Sequence, residues 1–312
     1  MALHLLDTHA HLISEDWEKY PPRPFAPGLP TPERTSFSVT AEALIEMMDA
    51  NGVAMSCVVQ RGHVYGYDNS YILDSTARYP DRLRSVVILD TQDPETPRAY
   101  REMVQAGLAC GFRMATSRPW FLDTAWMCSP VAMEVWDACA ELGTPMTLIF
   151  FNNQLPYLLP LLKLLAERYR DLPIILDHGA MPYGMSQYEV ALREEAGEVV
   201  VMPPPPDYGI NDTIALFRDI PNIHFKITEI NMERLVKAGV RAADLVRYMV
   251  DMFGEDRLVW GSDVGQSMLW TYDEKVRMAV EATELLTPIE ASKFLHDNAQ
   301  RIYGFGVRGT RG

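Results

Sequence analysis

Short apolar runs rich in β-branched residues alternate with amphipathic stretches along nearly the whole chain. An apolar run of about four to eight residues between turn signals reads as a buried strand, whereas apolar positions three and four apart form one helix face. This pattern predicts a first strand over residues 3–9. A loop follows in which Pro21, Pro22, Pro24, Pro27, Pro30 and Pro32 prevent regular structure. Thr40 is placed to cap a helix over 41–50, and Asn51-Gly52 to end it. Further strands are expected over 53–60, 83–89, 109–114, 145–151, 173–178, 223–228 and 258–261. Helices are expected over 69–78, 95–106, 130–142 behind a Ser129 cap, 156–169, 213–218, 243–252, 273–286 and 288–296. Residues 179–212 are the least regular part, with a helix expected near 187–195, an apolar run at 199–202 and the tetraproline at 203–206.

Eight strands, each followed by helix, with near-continuous apolar character, require cover on both faces of a parallel sheet. In roughly 300 residues this favours a closed single-domain (β/α)8 TIM barrel over an open doubly wound sheet. The barrel is assigned to residues 1–305, with long loops after strands one and six and a flexible tail at 306–312. Where a dinucleotide fold would carry a glycine-rich phosphate loop, this chain has Asp7-Thr8-His9-Ala10-His11.

In barrels of this kind the working face lies where the strands run out at their carboxyl ends. Strand one ends in His9-Ala10-His11, strand two in Gln60-Arg61-Gly62-His63, and strand three in Asp90. The next strands deliver Arg113, Asn152-Asn153, Asp177-His178, Thr228-Glu229 and Ser262-Asp263. Side chains two apart on a strand point the same way, so His9 and His11 can grip one ion. Imidazole suits zinc, and Asp263 would complete a mixed nitrogen and oxygen shell open to water. Asp263 can also take the proton of a water attacking a carbonyl, with His178 as a further ligand or a polariser of the carbonyl oxygen. His4 and His224 fall near strand starts and are structural; His296 sits in a late helix. Asp7 is a candidate to orient a metal histidine from behind. Arg113 interrupts the apolar strand Gly111-Phe112-Arg113-Met114 and is therefore the arginine least suited to be solvated.

The net charge of −14 argues against nucleic acid or an anionic membrane as partner, and leaves a small-molecule substrate. No stretch approaches the roughly 18 consecutive apolar residues of a membrane span, and the N-terminus lacks a signal-peptide pattern. Cys57, Cys110, Cys128 and Cys139 form no CxxC pair, which points to free thiols and a cytoplasmic protein; a homo-oligomer is compatible with all of this.

Asp7-Thr8-His9-Ala10-His11, Leu176-Asp177-His178-Gly179 and Trp260-Gly261-Ser262-Asp263 together resemble the amidohydrolase superfamily. The nearest branch is the amidohydrolase-2 group, which includes pyrone dicarboxylate hydrolases and sugar lactonases. Gly111-Phe112-Arg113 and the closing Asp297-Asn298-Ala299-Gln300-Arg301-Ile302-Tyr303-Gly304 extend the similarity from about residue 5 to residue 305. The resemblance implies His9, His11, His178 and Asp263 as catalytic residues and as ligands of one divalent ion, zinc or manganese. It implies Arg113 and Arg118 as holders of a substrate carboxylate, with His63, Gln60 and Asn152 lining the same pocket. Strand five ends in Asn152-Asn153 where many superfamily members carry histidine, and strand four offers no carboxylated lysine, so a binuclear centre is not expected. Some members of this branch open lactones without a metal. The expected activity is opening of a lactone or similar cyclic ester, with a metal-dependent decarboxylase or hydratase of an aromatic-derived acid as the alternative.

Overall fold

Eight parallel strands stand side by side in chain order: β1 (Leu5–Ala10), β2 (Val53–Val59), β3 (Leu83–Val87), β4 (Ala109–Met114), β5 (Met146–Leu148), β6 (Ile174–Leu176), β7 (Ile223–Ile227) and β8 (Leu258–Trp260). The computed structural model describes residues 5–25, 38–116, 123–150, 154–180, 194–197, 205, 207–266 and 270–305. Every neighbouring pair from β1–β2 to β7–β8 is parallel. The ring then shuts: Asp263 N donates to His9 O at 2.7 Å, and His11 N donates to Val264 O at 2.8 Å. This is the TIM barrel that the alternation of strands and helices predicts.

Local signals set the helices. Thr40 accepts from Ala43 N at the start of Ala41–Ala50, and Ser129 from Ala132 N before Pro130–Leu142. Each such cap contributes about 1 kcal/mol. Gly143 turns left-handed at φ 64 to stop the second of these helices. The barrel interior is filled by Leu6, Cys57, Val59, Val86, Ile175 and Val259, against which Ile302, Tyr303 and Phe305 pack from the end of the described chain. A larger apolar layer, including Met48, Trp136, Leu162 and Met249, lies between strands and helices.

The departures are local. Strands β5, β6 and β8 are three residues each, shorter than predicted. After β6 the backbone turns left-handed at His178 (φ 53), Gly179 (φ 63) and Ala180 (φ 47), which cannot continue a strand. A helix not anticipated, Glu229–Lys237, follows β7. The stretch expected as helix 213–218 is a 3-10 turn, Ile214–Phe217. The closing helix divides into Pro288–Ser292, a π turn at Lys293–Asp297 and Asn298–Tyr303. All but the last two residues of the helix expected near 187–195, the apolar run at 199–202, most of the tetraproline and the tail lie outside the described residues; Glu194 and Glu195 are helical.

Candidate active site

At the seam where β8 meets β1, one buried carboxylate fastens the two strands. Asp7 Oδ1 accepts from His9 N at 3.0 Å and Ser262 N at 2.8 Å, while Oδ2 accepts from Ser262 Oγ at 2.6 Å and Tyr272 OH at 3.1 Å. Asp7 therefore orients the backbone of His9 and not its ring, which corrects the expectation drawn from sequence. Gly261 permits the close approach: a Cβ there would stand 2.5 Å from His9 Cβ.

The seam brings residues far apart in the chain together. His9 Nε2 lies 3.2 Å from His11 Nε2, and Asp263 Oδ1 lies 3.5 Å and 3.4 Å from those two nitrogens. All three side chains are buried, and among the described residues both Asp263 oxygens lack a hydrogen-bond partner. Asp263 sits at φ 56, a left-handed conformation rare for a non-glycine residue and held here by its backbone bond to His9. His178 places its ring 5.4 Å from that of His9, centroid to centroid, and its Nδ1 2.7 Å from Thr228 Oγ1. Ligand atoms of His9, His11 and Asp263 fall within 4.8 Å of one another; His178 stands outside that trio.

Electrostatics fix the charge states. Burial pushes His9 well below the ordinary histidine range, His11 down to about 4, and His178 down, so all three are neutral at pH 7. Burial alone would raise Asp263, but the imidazole of His11, with His178 and His9, outweighs it and keeps the carboxyl ionised well below the usual carboxylate range. The site at neutral pH is one carboxylate facing three neutral imidazoles.

Behind His9 lies a second buried cluster. Asp177 Oδ2 accepts from Arg113 Nε at 2.7 Å, and Asp177 Oδ1 stands 3.0 Å from Lys226 Nζ and 3.4 Å from His9 Nδ1. Burial opposes charge on Asp177, yet Lys226, His9 and Arg113 hold it ionised, far below its ordinary value. Sequence reasoning named Arg113 but missed Asp177 and Lys226 as site residues. The available signal was the same for Lys226 as for Arg113: a cation inside an apolar strand, Ile-His-Phe-Lys-Ile. Gln60 is buried, its Nε2 donating to the carbonyl oxygens of Gly66 and Asp68, and His63 is half-buried in the following turn, Gly62–Tyr65. Arg118 and Asn152 lie outside the described residues. Two imidazoles and a carboxylate whose oxygens are unpartnered form a donor set that fits one divalent ion.

A closed TIM barrel with histidines from β1 and β6 and an aspartate beyond β8 defines a class of hydrolytic barrels. The chain matches the amidohydrolase family over residues 6–305 and belongs to it. It is 28% identical over 229 residues to L-fucono-1,5-lactonase of Burkholderia ambifaria, covering 70% of this chain and 67% of that protein. Its fold is like that of a probable 2-pyrone-4,6-dicarboxylic acid hydrolase from Acinetobacter baumannii crystallised with citric acid (TM-score 0.70, 19% identity, 97% and 100% of the two chains). It is also like that of 5-carboxyvanillate decarboxylase from Novosphingobium aromaticivorans complexed with manganese and a nitrobenzoic acid (TM-score 0.63, 15% identity, 97% and 96%).

Proposed function

We propose that this amidohydrolase opens a lactone or similar cyclic ester, one derived from a sugar or from aromatic breakdown and bearing a carboxylate. The observation that carries this is the Asp263 carboxylate, ionised, buried and without a hydrogen-bond partner among the described residues, beside the imidazoles of His9 and His11. A base needs a free lone pair aimed at the water it deprotonates. Asp263 takes a proton from water, and the oxygen attacks the ring carbonyl carbon. His9, His11 and His178 surround the place where negative charge develops on the carbonyl oxygen. Collapse breaks the ring C–O bond, and the alkoxide leaves with the proton held on Asp263. The lactonase relative supports this assignment of substrate class.

His9, His11 and Asp263, with His178 alongside, would hold one divalent ion, zinc or manganese. Such an ion, when bound, supplies Lewis-acid polarisation of the carbonyl or a more acidic water. Arg113 and Arg118 are assigned to the substrate carboxylate, and His63, Gln60 and Asn152 to the pocket wall. The second reading is decarboxylation of an aromatic acid, which the trio of ligand atoms allows and which would demand a firmly held ion. Four free thiols support a reducing, cytoplasmic setting, and no helix among the described residues is long and apolar enough to cross a membrane. The exposed apolar side chains Tyr157 and Leu164 support a homo-oligomer.

The test is a panel of sugar lactones, pyrone carboxylates and aromatic carboxylates, scored by pH-indicator proton release and by CO2 evolution, with and without chelator. Proton release from lactones that survives chelation is expected. CO2 evolution abolished by chelator would transfer the assignment to the decarboxylase reading. Asp263→Asn is expected to lose about 10²- to 10⁴-fold in kcat with secondary structure intact; near-normal turnover would remove Asp263 as base.

A further inference from the structure

Lys226 projects from β7 into the barrel with no exposed surface, its ammonium 5.7 Å from the centroid of the Tyr303 ring. Its Nζ lies 3.0 Å from Asp177 Oδ1 and makes a hydrogen bond of 3.2 Å to His9 Nδ1. An ammonium has donors only. His9 Nδ1 is therefore the acceptor, and a neutral His9 carries its proton on Nε2.

His11 is fixed independently. Its Nδ1 is 2.8 Å from Val59 O, and a carbonyl oxygen only accepts. His11 thus carries its proton on Nδ1 and leaves Nε2 bare. The 3.2 Å approach of the two Nε2 atoms then has one donor, His9, and one acceptor, His11. Each contact alone settles one ring; together they are mutually consistent.

A metal ion needs a bare nitrogen. His11 Nε2 qualifies, whereas His9 Nε2 does not. To ligate there, His9 would have to carry its proton on Nδ1 instead, and Asp177 Oδ1 at 3.4 Å is the acceptor such a tautomer would use. Lys226 and Asp177 compete for one ring atom, and Lys226 stands the nearer, at 3.2 Å against 3.4 Å.

We propose that Lys226 is a positioning residue that locks the tautomer of His9, keeping the Nε2 proton directed into the site and weakening divalent-ion binding by the His9–His11–Asp263 trio. The two histidines of the β1 motif then differ in role: the His9 Nε2 proton, held by His11 Nε2 in the free site, turns to the developing oxyanion when substrate arrives, while the bare His11 Nε2 only accepts and so leaves the oxyanion contacts to His9 and His178. That use of the His9 proton rests on the ester-hydrolysis reading. The tautomer and the ion affinity are measured without substrate, so failure of the substrate panel leaves them standing, and their failure leaves the panel untouched.

Two measurements decide it. Two-bond ¹H–¹⁵N correlation spectra of the wild-type protein with ¹⁵N-labelled histidine, assigned with His9→Gln, should show the proton of His9 on Nε2 and a bare Nδ1. The opposite tautomer overturns the lock, and this experiment needs no variant at position 226. Zinc affinity, read by competition with a chromophoric chelator, should tighten at least tenfold in Lys226→Met. The same tightening is expected in Lys226→Leu, a second apolar replacement that keeps Asp177 as the Nδ1 acceptor and its pair with Arg113, and that serves if the methionine variant does not fold. Equal or weaker zinc binding by a folded variant overturns the proposal.

Discussion

His224 sits on β7 at the rim opposite the candidate site, buried, with Nδ1 lacking a hydrogen-bond partner among the described residues. Burial, helped by the charges of Arg301 and Arg257, holds its pKa down to about 3 from an ordinary 6.5. The folded state thus refuses a proton that the unfolded chain takes up below pH 6.5. Stability is unaffected above that value, is lost as pH falls below it, and stops falling only near pH 3. Each pH unit in that window is worth somewhat more than 1 kcal/mol, so two units, from 6.5 to 4.5, remove about 3 kcal/mol. Replacing His224 by Gln removes the titration while keeping a neutral polar side chain. Urea unfolding of both proteins at pH 7.5 and pH 4.5, followed by tryptophan fluorescence and far-UV circular dichroism, isolates the effect. His9, His11 and His178 contribute equally in both proteins and cancel. The wild type should lose about 3 kcal/mol more than the variant over that span, out of a total stability of roughly 5–15 kcal/mol. A loss equal in both within about 0.5 kcal/mol would refute the claim that His224 is kept neutral by its surroundings.

Two other substitutions probe the site itself. Gly261→Ala forces a methyl to within 2.5 Å of His9 Cβ, and a displacement of that ring by about 1 Å should cost roughly 10²-fold in turnover; unchanged turnover would show that the seam yields without disturbing His9. Arg113→Ala should lower kcat/KM for anionic substrates by roughly ten- to a hundredfold, the worth of one charge-assisted hydrogen bond, and affect neutral ones less. An equal loss on both would confine Arg113 to its ion pair with Asp177.

The barrel was legible because buried strands and amphipathic helices carry different periods, and Thr40 and Ser129 cap where their sequence context says they should. His9, His11 and Asp263 were legible because strand ends of a barrel share one rim, so primary distance does not matter. The conformations of His178 and Asp263 were not. Asp and His enter the left-handed region more readily than most residues, but at a single position that tendency is too weak to mark the conformation, which the surrounding bonds impose. Asp177 was listed among the rim residues from sequence, yet its work is done inward, toward Lys226 and Arg113. Strand alternation tells which face a residue takes, but not which neighbour across the barrel it will meet. The Glu229–Lys237 helix escaped although Thr228 stands directly before it, with its N–H bonded to Asn231 Oδ1, because Thr228 reads equally well as the last residue of the β7 strand run.

The bonds from Asp263 N to His9 O and from Ser262 to Asp7 clasp the first strand to the last. Asp263 and His178 therefore stand on one side of that seam, and the imidazoles of His9 and His11 on the other. Opening this one clasp would part the carboxylate from two of its three imidazoles, and on the proposed mechanism would silence the enzyme while most helices and strands stayed formed. Catalytic output is thus a more sensitive gauge of whether the circle is intact than any bulk spectroscopic signal, and loss of function ahead of melting is the behaviour to expect on gentle heating.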